Sequence, residues 1–219
     1  MASDDKPVTK TEKSRKKRQL ILEAAARVFR EKGYAAATLS DIAALADTFS
    51  GSMYYYFPSK DHLVEEVLNI GTTSVSDFVM ERMATVDRDL DAISRIRLAL
   101  VAHMSQMLKR DDFVVAYWKI INEVPQDIRE RHRRLPRNYG HFWQELIEEG
   151  QAKGQLRPDL DATVVRLLLV GASIYVLMWY DEKRSQSVED IANTLVELFF
   201  FGMATDTARA LSISSLSLD

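Results

Sequence analysis

Residues 38–57, TLSDIAALADTFSGSMYYYF, constrain the chain more than any other stretch. They are too short and too interrupted for one long helix, and they do not alternate as a strand does. Thr38 stands as a helix N-cap, with Asp41 three residues on in an acidic form of the capping box. Ile42, Ala43 and Ala46 give this helix an inner face of small residues, which lets a neighbour approach closely. Asp47-Thr48-Phe49 form a break, and a second short helix follows from Ser50 to Phe57. Pro58 ends it, because the residue before a proline is pushed out of the α region. Successive helical positions lie about 100° apart. Met53 and Phe57 therefore point inward, Tyr54 and Tyr55 outward, and Tyr56 sits at the boundary.

The flanking sequence supplies the third helix of a small domain. Residues 1–14 read as a disordered arm rich in Lys, Thr and Asp. Arg15, Lys16, Lys17 and Arg18 lead into a helix with Leu20, Ile21, Ala24, Ala25, Val28 and Phe29 on one stripe, stopped by Gly33. Ser59 caps a long fourth helix over about 60–84, cored by Leu63, Val64, Val67, Leu68 and Ile70, with Gly71-Thr72-Thr73 as a weak point. Helical periodicity continues over about 89–109, 111–123, 126–153, 161–182 and 187–205, and 208–219 reads as a tail. No stretch reads as a strand, so the chain is expected to be all-α with about nine helices.

The charge pattern and the missing residues narrow the function. Net charge is −3, yet residues 1–60 carry 11 Lys and Arg against 7 Asp and Glu, so a basic head precedes an acidic body. There is no cysteine, which removes disulfides and thiolate chemistry. His62, His103, His132 and His141 show no ligand spacing, and neither a phosphate-binding glycine loop nor a nucleophile elbow occurs. No metal, no cofactor and no catalysis are expected. The longest apolar run, 167–180, falls short of the roughly 20 residues of a membrane span and reads as a buried helix. A cytoplasmic setting with no membrane partner is expected.

Two short helices joined by a tight turn make a helix-turn-helix, whose second helix enters the major groove of DNA. Ser50, Gly51 and Ser52 are small enough to meet base edges, and tyrosine hydroxyls can donate to phosphate oxygens. Thr38, Asp41-Ile42-Ala43, Ala46, Gly51, Met53-Tyr54, Tyr56-Phe57, Ser59-Lys60 and Leu63, with Ile21, Ala24, Ala25, Phe29 and Gly33-Tyr34 before them, closely resemble the TetR family of bacterial transcriptional regulators over about residues 15–70. The DNA-binding set is taken as Lys17, Thr38, Ser40, Ser50, Gly51, Ser52, Tyr54, Tyr55, Tyr56 and Lys60. The turn departs from the family's common Gly-Val-Ser. Asp47 must then take up positive φ, and the cap of the recognition helix moves to Thr48 or Ser50.

The resemblance implies a DNA-binding domain over 15–75 and a ligand-binding, dimerising domain over 76–207. It also implies a pseudo-palindromic double-stranded operator, a small hydrophobic effector and a homodimer that acts as a repressor. Candidate pocket residues are His103, Met104, Met107, Tyr117, Trp118, Ile121, Tyr139, Phe142, Trp143, Val176 and Trp179, since methionine and aromatic side chains suit a long apolar ligand. Residues 164–180 are apolar nearly all round, so burial on several sides is expected. Candidate interface residues are Leu167, Gly171, Ile174, Met178, Ile191, Leu195, Leu198, Phe199 and Gly202. Arg129, Arg131, His132, Arg133, Arg134 and Arg137 form a basic run whose forks suit phosphate. With HFWQELIEEGQAKGQLRPDLD after it, this segment resembles acyl-CoA-responsive regulators of lipid or steroid catabolism, which would place a CoA phosphate near Arg133 and Arg134. The alternatives are a solvated basic helix face, a helical scaffold that binds protein, and a regulator of a different hydrophobic ligand.

Overall fold

The computed structural model describes residues 10–132, 136–181 and 186–201. Among them are ten α-helices and a π-helical turn: α1 Lys10–Ala36, α2 Leu39–Leu45, α3 Ser50–Tyr56, α4 Lys60–Ala84, α5 Ala92–Leu108, α6 Asp112–Ile120, α7 Gln126–His132, α8 Arg137–Ala152, α9 Ala162–Trp179, α10 Val188–Val196 and the turn Glu197–Phe201. No strand occurs among the described residues.

Residues 10–14 are helical, so the arm expected over 1–14 gives way to α1 at Lys10; residues 1–9 lie outside the described residues. The single helix expected over 126–153 is two. Pro136 cannot donate into a helical ladder and disfavours helix at the residue before it, but it suits a helix start, and α8 begins at Arg137. Gly71 does not weaken α4, which runs through it unbroken. The tail over 208–219 lies outside the described residues.

The chain forms two compact units, one from residues 1–77 and 109–137 and the other from 78–108 and 138–219. This differs from a head confined to 15–75. Helices α6 and α7, read in the sequence as part of the body, join the first unit because their apolar faces complete its core. Phe113, Ala116, Tyr117, Ile120, Ile121, Val124 and Ile128 are buried in one cluster with Ile21, Phe29, Met53, Phe57 and Leu63.

Two glycines show how closely the first unit is built. At Gly33 the backbone takes φ 75 and ψ 176, a region open in practice only to glycine. The chain there turns out of α1, and the freed Tyr34 N–H donates to Glu123 Oε2 at 2.7 Å. At Gly71 a Cβ would lie 2.6 Å from the Phe113 carbonyl oxygen, so the absent side chain lets α4 meet the backbone of α6. Ion pairs Arg30–Asp112, Arg18–Glu66 and Arg131–Glu65 decorate the same unit. Such exposed pairs contribute about 0–1 kcal/mol each, so apolar packing carries the stability.

In the second unit α5 packs against both α9 and α10. Ile96, Leu100, Met104, Tyr139 and Trp143 are its largest fully buried side chains. Asp161 caps α9 through Thr163 and Val164 N–H, and Ser187 with Asp190 closes a capping box on α10. The expectation that 164–180 is buried on several sides is corrected. Leu169, Val170, Ser173 and Val176 are buried, but Val164, Leu167, Leu168, Tyr175 and Met178 are exposed.

Gly71→Ala puts a methyl group against backbone that cannot yield. It should lower the free energy of unfolding by about 1–3 kcal/mol, although alanine is the better helix former by about 1 kcal/mol. Gly51→Ala, where a Cβ meets nothing within 4 Å, should leave stability unchanged or raise it. Urea denaturation of the two variants checks the pair.

Candidate functional site

The α2–α3 arrangement is built from its caps outward. Thr38 and Asp41 form the reciprocal capping box: Asp41 N–H donates to Thr38 Oγ1 at 3.1 Å, and Thr38 N–H donates to Asp41 Oδ2 at 3.1 Å. Lys32 Nζ stands 2.7 Å from Asp41 Oδ1. Lys32, then Thr38, hold that carboxyl below the usual range. Asp47 has φ 50, the left-handed conformation that loss of the glycine requires. Thr48 N–H reaches back to the Ala43 carbonyl at 2.9 Å. Lys17 Nζ donates to the carbonyls of Ala46 at 3.0 Å and Asp47 at 2.7 Å, placing a cation at the negative end of α2.

The N-cap of α3 is Phe49, with no side-chain cap bond, so neither Thr48 nor Ser50 serves as the expected cap. The Ser50 hydroxyl turns to Ser40 Oγ at 3.3 Å. Met53 and Phe57 are buried, Tyr56 is half-buried, and Tyr54 and Tyr55 are 61% and 79% exposed. Tyr56 meets the Tyr55 ring edge-on at 5.0 Å between centroids. The outer face of the motif therefore presents Phe49, Ser50, Gly51, Ser52, Tyr54 and Tyr55. Phe49 is 85% exposed and was absent from the sequence-derived set. Its signal is its place in the turn, just before the helix that meets the groove.

Two expected DNA contacts are engaged internally. Lys17 holds the turn, as above. Lys60 Nζ donates to the Tyr34 carbonyl and lies 4.3 Å from the centre of the Tyr34 ring. Burial lowers its pKa, so a site drawn around a free Lys60 ammonium is corrected. Tyr34 in turn donates to Asp61 Oδ1 at 2.6 Å, and burial followed by that bond raises its pKa to about 12. Thr38 and Ser40 are exposed at the start of α2.

The expected pocket residues do not form one group. Tyr117, Trp118 and Ile121 belong to the first unit, where the Tyr117 hydroxyl donates to the His132 carbonyl at 2.9 Å. His103, Met104, Met107, Tyr139, Trp143 and Val176 are buried in the second unit, and Trp179 is half exposed. His103, Tyr139, Phe142 and Trp143 do come together, with His103 Nδ1 2.8 Å from Tyr139 Oη. Burial lowers the His103 pKa to about 4. Arg133 and Arg134 lie outside the described residues. Arg131 is paired with Glu65 and Asp127, and Arg129 Nη2 donates to the Val124 carbonyl at 3.2 Å. These two arginines of the basic run are thus committed within the first unit.

Two clefts are formed by described residues of the second unit. One, of about 490 Å³, is lined by Met80, Met83, Arg88, Arg95, Phe142 and Leu146 among others. The other, of about 470 Å³, runs along α9 past Leu160, Val164, Leu168 and Phe199 to Phe201. Of the expected interface residues, Leu167, Gly171, Met178 and Leu198 are exposed, and Ile174, Leu195 and Phe199 are half-buried. Ile191 is instead core, facing its own chain; Gly202 lies outside the described residues. Val164, Leu168 and Tyr175 share the exposed face and were missed, because a run apolar on all sides does not reveal which side its own chain covers.

A capped α2, a left-handed turn and an α3 with its apolar side buried and its serine, glycine and tyrosine side open define a helix-turn-helix DNA-binding protein. Residues 21–67 match the bacterial regulatory proteins of the tetR family, and residues 89–203 match the tetracyclin repressor-like C-terminal domain. The chain belongs to the TetR family of bacterial transcriptional regulators. It is 28% identical over 192 residues to the HTH-type transcriptional repressor KstR2 of Mycolicibacterium smegmatis, covering 85% of this chain and 90% of that protein. Two solved structures share the fold. AibR in complex with isovaleryl coenzyme A and operator DNA has a TM-score of 0.72 at 20% identity, covering 84% of this chain and 98% of the other. FadR from Bacillus subtilis in complex with stearoyl-CoA has a TM-score of 0.70 at 20% identity, covering 85% and 99%.

The buried His103 has a consequence for stability. Its folded pKa of about 4 lies below the ordinary value of 6.5, so the unfolded chain binds the extra proton between those values. Stability then falls as pH drops through this window. Between pH 7 and pH 5 the wild type should lose about 2 kcal/mol that His103→Gln does not lose. Urea midpoints of both proteins at the two pH values measure the difference.

Proposed function

We propose that the chain is a homodimeric transcriptional repressor that leaves its operator when an acyl-CoA thioester, or a similar apolar molecule, binds the body. It acts by binding rather than by catalysis, on the bacterial nucleoid in the cytoplasm. The observation that carries the DNA reading is the exposed face of α3. Tyr54, Tyr55 and Phe49 stand in solvent beside Ser50, Gly51 and Ser52, on a helix whose other side is locked into a core. Exposed aromatic side chains grouped this way mark an interaction surface. Phenol hydroxyls suit phosphate oxygens, and an apolar ring suits a thymine methyl. Ser40 and Thr38 at the start of α2 are added as backbone contacts.

A dimer is supported by the exposed apolar face that α9 shows among the described residues. Val164, Leu167, Leu168, Tyr175 and Met178 recur at helical spacing and are exposed, an apolar stripe that a second copy would bury. Two recognition helices then meet half-sites one turn, about 34–36 Å, or a multiple apart. Helix α4 contributes to both units and is the segment through which an effector would change head spacing. The effector class is supported by the relatives: AibR and FadR are each found with a CoA thioester, and KstR2 is named a repressor.

A palindromic duplex selected from random sequence should be retarded by the protein, with affinity falling steeply as salt rises. Tyr54→Phe and Tyr55→Phe should each weaken binding about three- to tenfold, the worth of a phosphate hydrogen bond. Stearoyl-CoA or isovaleryl-CoA should release the duplex at micromolar concentration. Retention of full affinity by the double tyrosine variant would remove the assignment of α3 as the reading helix. Failure of every thioester in a chain-length series would remove the effector class.

Leu168→Glu places a charge on the exposed stripe of α9. It should convert the dimer to monomers in sedimentation velocity at micromolar protein without loss of helix signal. A dimer of unchanged strength would move the interface elsewhere.

A further inference from the structure

One side chain of the helix-turn-helix adds nothing to the core. Phe49 is 85% exposed, the most exposed large apolar side chain among the described residues. Helical spacing would set it on the inward stripe, ahead of Met53 and Phe57, which are both buried. Its backbone is extended instead, φ −83 and ψ 140, because it is the N-cap of α3. The ring therefore leaves that stripe and stands in water. As a cap it makes no side-chain bond, where serine, threonine, asparagine or aspartate would accept from a backbone N–H of the first turn. Stability alone would favour a small polar residue at this position.

The turn fixes the backbone that carries the ring. Thr48 N–H donates to the Ala43 carbonyl at 2.9 Å on one side of Phe49, and Ser52 N–H donates to the Phe49 carbonyl at 2.9 Å on the other. Lys17 fastens the carbonyls of Ala46 and Asp47 just before it. Ser50, Gly51 and Ser52, which follow, carry a hydroxymethyl group or no side chain at all. The Ser50 hydroxyl is turned to Ser40 Oγ at 3.3 Å, and a Cβ at Gly51 would meet nothing within 4 Å. Phe49 thus reaches furthest at the leading turn of the helix that enters the groove, and its backbone is set before DNA arrives.

The ring has no hydrogen-bond donor or acceptor of its own, which limits what it can recognise. Base edges in the major groove offer donors, acceptors and one apolar group, the C5-methyl of thymine. Apolar wedges that unstack a base step act from the minor groove, away from a helix seated in the major groove. Phosphate oxygens suit the hydroxyls of Tyr54 and Tyr55 and not a hydrocarbon ring. We propose that Phe49 is a specificity-determining residue: its ring packs on the C5-methyl of one thymine in each half-site, so that the protein selects thymine there through apolar contact alone. The proposal rests on the reading of α3 as the groove helix and names what its leading residue reads.

A duplex is selected from random sequence with the full-length protein, and each thymine of its half-sites is replaced in turn by deoxyuridine, in both half-sites together. Deoxyuridine keeps every hydrogen-bonding group of thymine and lacks only the methyl group. For the wild type, one such replacement should weaken binding about tenfold, the loss of two buried methyl groups. Phe49→Ala should bind the parent duplex about tenfold more weakly or worse. The same replacement should then change its affinity by less than about twofold, because ring and methyl act as a pair. Phe49→Leu keeps an apolar side chain and should remain sensitive to that methyl group. Phe49→Ser supplies the missing cap and should melt no lower than wild type, yet selection with it should return no thymine preference at this position. Uracil sensitivities that are the same in wild type and Phe49→Ala overturn the proposal, and so does a selected half-site without thymine; both leave α3 as the groove helix. A Phe49→Ser protein that melts lower and keeps the thymine preference assigns the ring to the fold, which also overturns it. Affinity that neither Phe49→Ala nor Tyr54→Phe alters overturns the proposal and the groove-helix reading together.

Discussion

The clamp of Lys17 on the turn after α2 is the interaction on which the presentation of α3 depends. Asp47 must hold a left-handed conformation, which an aspartate accepts at some cost. Its carbonyl and that of Ala46 would otherwise face solvent at the end of a short helix. Lys17 answers both with one ammonium group, and it projects from α1, the longest helix of the unit. The turn is thereby tied to the scaffold at one end of α3. Met53 and Phe57, buried in the core, tie the helix itself. With both constraints in place, the direction of Tyr54, Tyr55 and Phe49 is no longer free. Two of the three ammonium N–H groups of Lys17 are thus spent on the protein.

The first unit is not a continuous stretch of chain. Glu123 reaches the Gly33 break across 89 positions of sequence, and Asp112 reaches Arg30 across 82. Gly71 is small for Phe113, not for flexibility. Local pattern reading finds each helix but cannot assign α6 and α7, because helical periodicity reports that a face is apolar and is silent about which face covers it. Stability enters through those long-range apolar contacts. The surface ion pairs around them choose register more than they add energy.

That distinction accounts for what was legible. The capping box at Thr38 and Asp41, the inward pair Met53 and Phe57 and the positive φ of Asp47 all follow from rules spanning a few residues, and all three appear in the structure. The misplaced features each depend on a partner. Lys60 turns inward because Tyr34, 26 residues earlier, offers a ring and a carbonyl. Phe49 stays outside because no buried face receives it. Helix α9 is apolar nearly all round, yet among the described residues only one side of it is buried. Composition fixes how much apolar surface must leave water and leaves open whether this chain or another removes it.

The body shows the opposite economy at His103. Two buried serines are paired locally: Ser173 donates back to Val170 at 2.7 Å, and Ser76 to Thr73 at 2.9 Å. The His103–Tyr139 bond satisfies one nitrogen, yet the other nitrogen remains without a protein partner. Burial holds His103 neutral across the physiological range. An effector moves such a regulator between two states only by the difference in its affinity for them.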